Sequence, residues 1–516
     1  ISGGTQGYGR SLLAASPRLG RDGTLLAALD LFHNDGPWVH PDDYRKINGV
    51  LRYSQGTAAQ GFSLTAMGYD GRWNSTDQVP VRAVREGLID RFGALDPTDG
   101  GRSHRYSLSG EYRNVDAHSI TRSSVYVIDY KMNLWSNFEY FLSDTTNGDQ
   151  FEQADDRLVL GARVSKLRYG RLLGRPTQHL LGFHARHDNI HGVGLYHTVA
   201  RRRLSTTRQD DVQQTSVSPF YENETRWSPH FRSQVGLRVD QFWFNVDANI
   251  RQNSGSESAH RVSPKLGLVF GPFGGTEYFA NLGYGFHSND ARGTTIHVDP
   301  SSGDPAPRVT PLVEARGAEL GFASAVTPRL RVNGSLWGLS LASELLFVGD
   351  AGTTEASRPS RRLGGELAVN WGLHEHIVVD GSFAWSSARF TDADPAGDHI
   401  PGAVEGVAGI GVALINDQGW FGEARLRYFG PRALIEDNSA RSQTSTLVNL
   451  QAGYHFGPRL GITAGLFNLL DSKSSDIDYY YASRLPGEPA DGVDDIHTHP
   501  NESRSLRLAL TSSLTK

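Results

Sequence analysis

The chain has 516 residues, 38% of them hydrophobic, with 58 glycines, no cysteine and a formal net charge of -5. The absence of cysteine excludes a disulfide scaffold, a Cys-ligated metal site and a thiol nucleophile. The acidic balance provides no basic patch for nucleic acid, and no apolar stretch reaches the roughly 18 residues of a membrane helix. Length alone would suggest about three soluble domains, but the order of apolar and polar residues predicts a different protein.

Taken in chain order, the first regular segment is Val81–Phe92, whose weak helical spacing predicts a short helix within a loop. Beyond it, apolar and polar residues alternate with a period of two, which indicates β-strands. The polar positions of these runs carry charged and amide side chains. In the run 242–248 we predict that one face is apolar and that Asp247 lies on the opposite, polar face. The alternating runs are 235–239, 242–248, 330–336, 421–429, 446–456, 460–468 and 505–514. The turn 457–459 is short enough to join two of these runs as an antiparallel hairpin.

Alternation of this kind occurs both in a soluble sandwich and in a barrel with an apolar outer surface. Strands of about ten residues, polar faces rich in Arg, Asp and Asn, aromatic residues at strand ends and unequal connections favour the barrel. The long polar connections are Ser288–Pro311, Asp392–Val404 and Ser472–Ser503. At roughly 23 residues per strand and connection, the length predicts an all-β transmembrane antiparallel barrel of about 22 strands. It would form one domain over residues 1–516, with short turns at one end and long loops at the other.

Three segments resemble a known family. Residues 261–289 contain Ser-Pro-Lys followed by Gly-Phe-His-Ser-Asn, residues 314–321 read EARGAELG, and residues 465–471 read GLFNLLD. In this order they resemble the barrel of TonB-dependent outer-membrane transporters. The resemblance implies uptake of a scarce nutrient, such as a ferric siderophore or another metal chelate, across the outer membrane of a Gram-negative bacterium. It implies no cofactor, and its partners would be outer-membrane lipid, lipopolysaccharide and TonB, which acts through a plug domain.

Members of that family begin with the plug, whereas this chain opens at Ile1-Ser2-Gly3-Gly4, which looks like the start of the barrel. We therefore expect the plug domain to be absent from this chain and to come from the same precursor or from a separate chain. The alternative function is a passive, plugless large barrel, either a porin-like channel or a surface-binding protein. The sequence has no Gly-x-Ser-x-Gly elbow, P-loop or His-Glu-x-x-His motif, so we expect no enzyme.

Three loop regions are candidates for ligand contact because they combine aromatic and polar side chains. Each has a simpler interpretation as loop packing or turn formation. A planar or catecholate ligand could stack on tyrosines beside an arginine. The candidates are Trp38 and His40 in the first loop, His287, Asn289 and Arg292 after a strand end, and Tyr479, Tyr480, Tyr481 and Arg484 near the C-terminus.

Two further sets have weaker chemical signals. His187 and His191 have the i, i+4 spacing of a helical metal site and are weak metal candidates, but the residues between them indicate a loop, and ordinary loop histidines are the better explanation. Charged residues on the polar strand faces are expected to line the lumen or contact the plug, or else to compensate one another across neighbouring strands. These are Arg238, Asp240, Asp247, Arg331, Asp380, Glu423, Arg425 and Arg427.

Overall fold

The protein forms a closed antiparallel β-barrel of 22 wall strands within residues 1–348 and 353–513, which the computed structural model describes. Strands β2 (Gly9–Ala15) and β3 (Arg18–Leu19) are two parts of one wall strand, interrupted at Ser16 and Pro17. The wall elements are β1 (Ser2–Gly4), β2 (Gly9–Ala15), β3 (Arg18–Leu19), β4 (Gly23–Asn34), β5 (Tyr44–Gly56), β6 (Gln60–Asn74), β8 (Gly100–Val115), β9 (Ser119–Ser136), β10 (Phe151–Leu172), β11 (Arg175–Val199), β12 (Arg202–Ser228), β13 (Phe231–Ala248), β14 (Gly255–Phe273), β15 (Thr276–Ser288), β16 (Leu312–Thr327), β17 (Leu330–Leu341), β20 (Ser360–Gly372), β21 (Ile377–Phe390), β22 (Gly406–Leu414), β23 (Gly419–Phe429), β24 (Ser445–His455), β25 (Leu460–Phe467) and β28 (Ser505–Ser512).

The remaining elements lie in the long connections. They are β7 (Val79–Pro80), α1 (Val81–Arg85), a 3-10 turn (Arg251–Asn253), α2 (Ala291–Thr295), β18 (Leu345–Val348), β19 (Thr353–Ala356), β26 (Ser475–Ser483) and β27 (Val493–Pro500). None of the helices in the described residues is long and apolar enough to cross a membrane.

The barrel closes where the two ends of the chain meet. Strand β1 pairs on one side with β28, with Ser2 opposite Ala509, and on the other side with β2, with Ser2 opposite Arg10. Every wall strand runs antiparallel to its neighbours, so the connections alternate between the two ends of the barrel. One end has short turns such as Leu173-Gly174, and the other, here called the long-loop end, gathers 75–99, 137–150, 289–311, 342–348, 353–359, 391–405, 430–444 and 468–504.

Side-chain contacts identify which face of the wall is the inner one. Asp380 on β21 bonds to Arg425 on β23 at 3.1 Å, across Gly411 of the strand between them. Side chains converge on the concave face of a curved sheet, so contacts that skip a strand belong to the lumen. A Cβ added to Gly411 would lie 2.5 Å from the Asp380 carboxylate, so only glycine leaves room for this contact. The opposite, outer face carries large apolar side chains, including Leu336 and Trp420, which are 63% and 65% exposed.

The strands predicted at the C-terminal end of the chain are confirmed, because β24, β25 and their turn match the hairpin. The prediction for 242–248 is wrong. Residues 231–248 form one strand without a bulge against β14, so Phe244 and Val246 share the inner face with Asp240, whereas Asp247 points outward. The two inward residues are buried against Val212, Leu312 and α2, and this loop packing explains an apolar inner face near the long-loop end.

Two other predictions are wrong about the length of an element. The strands are not uniformly about ten residues long, because β11 and β12 have 25 and 27 residues and extend as a tall hairpin. The predicted helix within Val81–Phe92 is limited to α1, because Gly87 adopts a φ of 75°, in the left-handed region that ends helices.

Candidate ligand site at the long-loop end

Three connections that are distant in sequence pack together at the long-loop end. We call residues 75–99, 137–150 and 468–504 the loop cluster. Strand β7 pairs with β27, which places Pro80 opposite His497, and Tyr140 forms an isolated bridge with Arg484. The phenol of Tyr140 donates a hydrogen bond to the Gln78 carbonyl at 3.0 Å. The loop cluster therefore has its own β-pairing and is held together by more than side-chain contacts.

Arg82 is the central cation of the loop cluster. Its guanidinium is buried and donates to both Glu488 carboxylate oxygens at 2.7 and 2.9 Å, and to the carbonyl and hydroxyl of Ser483 at 2.8 and 3.0 Å. Its backbone amide donates to Asp495 at 2.8 Å. The ion pair with the guanidinium lowers the pKa of the Glu488 carboxyl. A bidentate pair of this kind fixes both position and orientation of the two loops.

The same cluster contains buried acids. Gln150 donates to the Asp99 carboxylate at 3.0 Å and Arg201 donates to the Asp99 backbone carbonyl at 2.7 Å. Burial, together with the nearby carboxylates of Asp77 and Asp96, raises the pKa of Asp99 to about 9, and burial raises the pKa of Asp77 as well. Asp99 is therefore protonated at neutral pH, which removes the repulsion between its carboxyl group and the carboxylates of Asp77 and Asp96.

A buried histidine completes the cluster. His497 stacks on Tyr481 with ring centroids 3.7 Å apart, and its Nε2 lies 2.7 Å from the Ser483 hydroxyl. Burial lowers the pKa of His497 to about 4, so the imidazole is neutral at physiological pH.

The first-loop candidates do not form the open aromatic platform that the sequence suggests. Trp38 is buried, with its ring against Phe92 and His499, and its Nε1 donates to Asp42 at 2.8 Å. Burial raises the pKa of Asp42 to about 7. Packing by neighbouring loops thus covers the indole, whereas His40 in the same loop is half-buried.

The tyrosine segment is divided by the pleat of β26. Tyr479 is exposed, and Tyr480 lies on the other face. Tyr481 is engaged by His497 and accepts a hydrogen bond from Gln78 at 3.2 Å. Arg484 donates to the carbonyls of Glu488 and Phe141 at 3.3 and 3.4 Å. The structure therefore does not bring the four residues together as one stacking surface, and Tyr479 keeps an open ring.

His287 lies near the end of β15, and Asn289 and Arg292 lie at the start of the 289–311 connection that follows it. Asn289 is buried and donates to the Thr310 carbonyl at 2.6 Å, and Arg292 pairs with Asp290 at 2.6 Å. Within the described residues, His287 Nε2 and Asn289 Oδ1 are buried without a hydrogen-bond partner. These two atoms are unused polar groups near the long-loop end.

The loop that the sequence suggests around the weak metal candidates His187 and His191 is a strand in the structure. Both residues lie on β11, where four residues span about 13 Å, so the two imidazoles cannot share one metal ion. His187 Nδ1 lies 2.8 Å from the Thr215 hydroxyl, and His191 Nε2 lies 3.0 Å from the Asn189 amide.

One other group in the described residues has the donor atoms for a metal ion. His33, Asp35 and Asp43 each place one donor atom within 4.8 Å of the others. Asp43 also accepts from Arg45 at 2.8 Å, so a cation there would compete with a guanidinium.

The charged wall residues compensate one another in several places. Arg238 pairs with Asp240 at 2.8 Å, and Arg425 pairs with Glu423 at 2.7 Å in addition to Asp380. Arg331 and Arg427 also lie on the inner face, by alternation from the same contacts, but within the described residues they lack a carboxylate within 4.0 Å. Asp247 is the exception, since it lies on the outer face of β13.

Sequence reasoning missed two groups that the fold assembles. Arg82 lies on the short helix α1, and Asp99 and Gln150 lie in irregular segments, so no periodicity of the sequence indicates the partner of any of them. A second group, Arg52, Arg113, Arg122 and Arg163, lines a cavity of about 620 Å³ toward the short-turn end of the lumen. The period-two pattern of β8 to β10 could have placed the last three on one face of each strand, but only pairing between the strands shows that they are adjacent.

This architecture is similar to that of known proteins. The family model described as TonB dependent receptor-like, beta-barrel, matches residues 30–469. The ferric citrate transporter FecA in its unliganded form is similar with a TM-score of 0.79 at 13% identity, over 98% of this chain and 76% of that chain. The ferric yersiniabactin uptake receptor FyuA from Yersinia pestis gives a TM-score of 0.77 at 13% identity, over 100% of this chain and 79% of that chain. The copper transporter OprC gives a TM-score of 0.75 at 16% identity, over 99% of this chain and 79% of that chain. At these identities, the likeness to solved structures establishes the fold.

Proposed function

Because the chain belongs to the TonB-dependent receptor β-barrel family, we propose that it is the barrel of an outer-membrane receptor that takes up a scarce nutrient such as a ferric siderophore. Members of this family are transporters, and the chain is accordingly not an enzyme. The proposed location is the outer membrane of a Gram-negative bacterium, with the apolar outer face against lipid and lipopolysaccharide.

The observation that carries the proposal is the combination of a wide polar lumen with packed loops at one end. A closed wall leaves no unpaired strand edge toward lipid, and a polar lumen can solvate a cargo that porins do not admit. The loop cluster and the 289–311 connection would form the receptor face for the cargo. Among the sequence candidates, Tyr479, Tyr480 and His40 are the side chains that we propose to contact it.

Transport would also require a plug domain, from the same precursor or from a separate chain, and TonB acting through it. The inner-wall charges Arg331 and Arg427 are proposed to face this plug. Energy coupling then depends on the plug, whereas this barrel supplies the membrane passage and the loops.

Uptake measurements test the function. The gene is deleted in its source organism, and cells with and without TonB receive radiolabelled ferric citrate, a ferric catecholate or copper, cargo classes suggested by the names of the similar structures. We expect uptake of one of these to fall on deletion and to return with the intact gene only when TonB is present. Uptake that returns without TonB would instead establish the passive channel, and unchanged uptake of all three would refute nutrient import of these classes.

A further inference from the structure

A row of three arginines crosses the wall at the long-loop end. Arg45 on β5 is directly opposite Arg72 on β6, and Arg72 is in turn directly opposite Arg102 on β8. Directly opposite side chains have Cβ atoms about 5 Å apart, and like charges in such positions destabilise a sheet. We call Arg45, Arg72 and Arg102 the arginine row.

The arginine row points away from the lumen. On the same three strands, the Arg52 guanidinium donates to the Ser63 hydroxyl at 3.1 Å and lies 3.5 Å from the Glu111 carboxylate. Because the contact from β5 to β8 skips β6, these three side chains lie on the inner face. Each arginine of the row is an odd number of residues from the inward residue of its own strand, and the strands pair without a bulge. The row therefore lies on the outer face, where a plug domain inside the barrel would not contact it.

Two guanidiniums of the row lack an acidic partner. Arg45 pairs with Asp43 at 2.8 Å. Among the side chains that the structure describes, no carboxylate lies within 4.0 Å of the Arg72 or Arg102 guanidinium. Arg102 donates to the neutral side chain of Asn133 at 3.1 Å. Two neighbouring cations on the outer face are thus left without charge compensation.

A cavity of about 490 Å³ adjoins the arginine row, and Arg72, Arg102 and Arg201 line it. Its acidic lining residue, Asp43, is already engaged in an ion pair. The buried Trp135 also lines the cavity, and its Nε1 has no hydrogen-bond partner within the described part of the chain. Guanidinium groups present forked donors that match phosphate oxygens, so this set of donors fits a phosphate group.

The position of the row along the strands indicates a membrane lipid. On the same outward face, Ile47 lies two residues from Arg45 and Tyr106 lies four residues from Arg102, and they are 56% and 48% exposed. At about 3.3 Å per residue, the row is about 7 to 13 Å along the strands beyond side chains suited to lipid and its interface. Lipid head groups occupy this level, and the lipopolysaccharide of an outer leaflet carries phosphate groups above its acyl chains.

We infer that the arginine row binds the phosphate groups of one lipopolysaccharide molecule and holds it against β5, β6 and β8. This inference rests on the proposed outer-membrane location and assigns a specific lipid site on the wall. The phosphate oxygens would accept forked hydrogen bonds and relieve the repulsion between Arg72 and its opposite neighbours. The acyl chains would follow the outward apolar side chains of the same strands, Leu51, Leu64 and Leu108.

Native mass spectrometry of the full chain, purified in detergent and titrated with lipopolysaccharide of uniform composition, tests the inference. We expect one tightly bound molecule per chain, and the double variant Arg72→Gln/Arg102→Gln should raise its Kd at least tenfold. The matched control Arg316→Gln/Arg361→Gln removes two arginines that share the outward faces of Leu320 and Leu363, and it should change the Kd less than twofold. Absence of binding, or an equal loss in the control, would overturn the site.

Two further titrations use the unmodified chain and identify the source of the phosphate. The same lipopolysaccharide with its phosphate groups removed should bind at least tenfold more weakly, and an equal concentration of inorganic phosphate should not displace the intact lipid. Undiminished binding of the dephosphorylated lipid would mean that the guanidiniums do not hold phosphate. Displacement by inorganic phosphate would indicate a site for a free solute, and either result overturns the inference.

These readouts involve neither TonB nor a nutrient. Lipopolysaccharide binding that depends on the arginine row, without TonB-dependent uptake, would remove the proposed transport function and keep the lipid site. TonB-dependent uptake without such binding would remove only the lipid site.

Discussion

Replacing Arg82 with methionine should open the loop cluster without affecting the barrel wall. Methionine fills much of the volume of the buried side chain but leaves Glu488 and the Ser483 carbonyl without their charged donor. Removing one partner of a buried ion pair costs about 3–5 kcal/mol. Glu488 keeps 20% of its side-chain surface exposed to water, so we expect the low end, about 3 kcal/mol.

A cost of about 3 kcal/mol corresponds to a roughly hundredfold shift in a local opening equilibrium. Hydrogen exchange of the β26 and β27 amides should therefore accelerate about a hundredfold. The heat-modifiable mobility of the barrel on SDS gels should stay unchanged, because the hydrogen bonds of Arg82 go to Ser483, Glu488 and Asp495, which all lie in the 468–504 connection and not in the barrel wall.

Arg85→Met is the matched control. Arg85 also lies on α1 and pairs with an acid, Glu86, at 3.6 Å, but the two side chains are 69% and 56% exposed. Exposed pairs contribute at most about 1 kcal/mol, so exchange should change little. Equal exchange in both variants would refute the reasoning, as would loss of barrel mobility in Arg82→Met.

Three further predictions concern the wall, the buried acid and the inner apolar cluster. Leu450→Arg should destabilise the barrel by about 2–4 kcal/mol in lipid, since it puts a charge on the outer face, whereas Gln451→Arg on the inner face should be mild. Equal unfolding midpoints of the two variants in urea would contradict this assignment of the faces. Asp99 has a folded-state pKa of about 9, above its unfolded value of 3.8, so its folded form holds the extra proton and stability falls as pH rises from 3.8 to 9. In the wild-type protein, residues 75–99 should therefore lose hydrogen-exchange protection between pH 7 and 9, and Asp99→Asn should reduce this loss. The window lies above the pH at which His497 titrates. The same loss of protection with pH in both proteins would contradict the raised pKa of Asp99. Phe244→Ala should cost about 3–5 kcal/mol by leaving a cavity under α2, read as faster exchange of residues 289–311, and normal protection there would show that the cluster does not hold the loop.

The barrel architecture was largely predictable from the sequence because the information is local. In an extended chain, successive side chains point to opposite faces, so alternation in 446–456 and 460–468 reports both the strands and their two faces. The same logic failed at 242–248, where loop packing makes the inner face apolar. An apolar run indicates burial, but it does not say whether lipid or protein covers it.

The candidate site was less predictable because it depends on contacts between distant segments. Tyr481 and Trp38 are aromatic residues of the kind that bind ligands. In the folded protein, however, His497 stacks on Tyr481, and His499, which is hundreds of residues from Trp38 in sequence, packs against the Trp38 ring. Nothing in residues 75–99 indicates that Arg82 is bonded to Glu488.

The sequence by itself determined the strand faces outside 242–248, the alternation of short turns and long loops and the approximate number of strands, since each follows from backbone geometry and residue spacing. Only the tertiary structure decided which loops associate, that His187 and His191 are separated, and that Arg113, Arg122 and Arg163 are neighbours. Closure of the barrel sets the lateral order and register of the strands, and this register determines which charges meet an opposite charge and which do not.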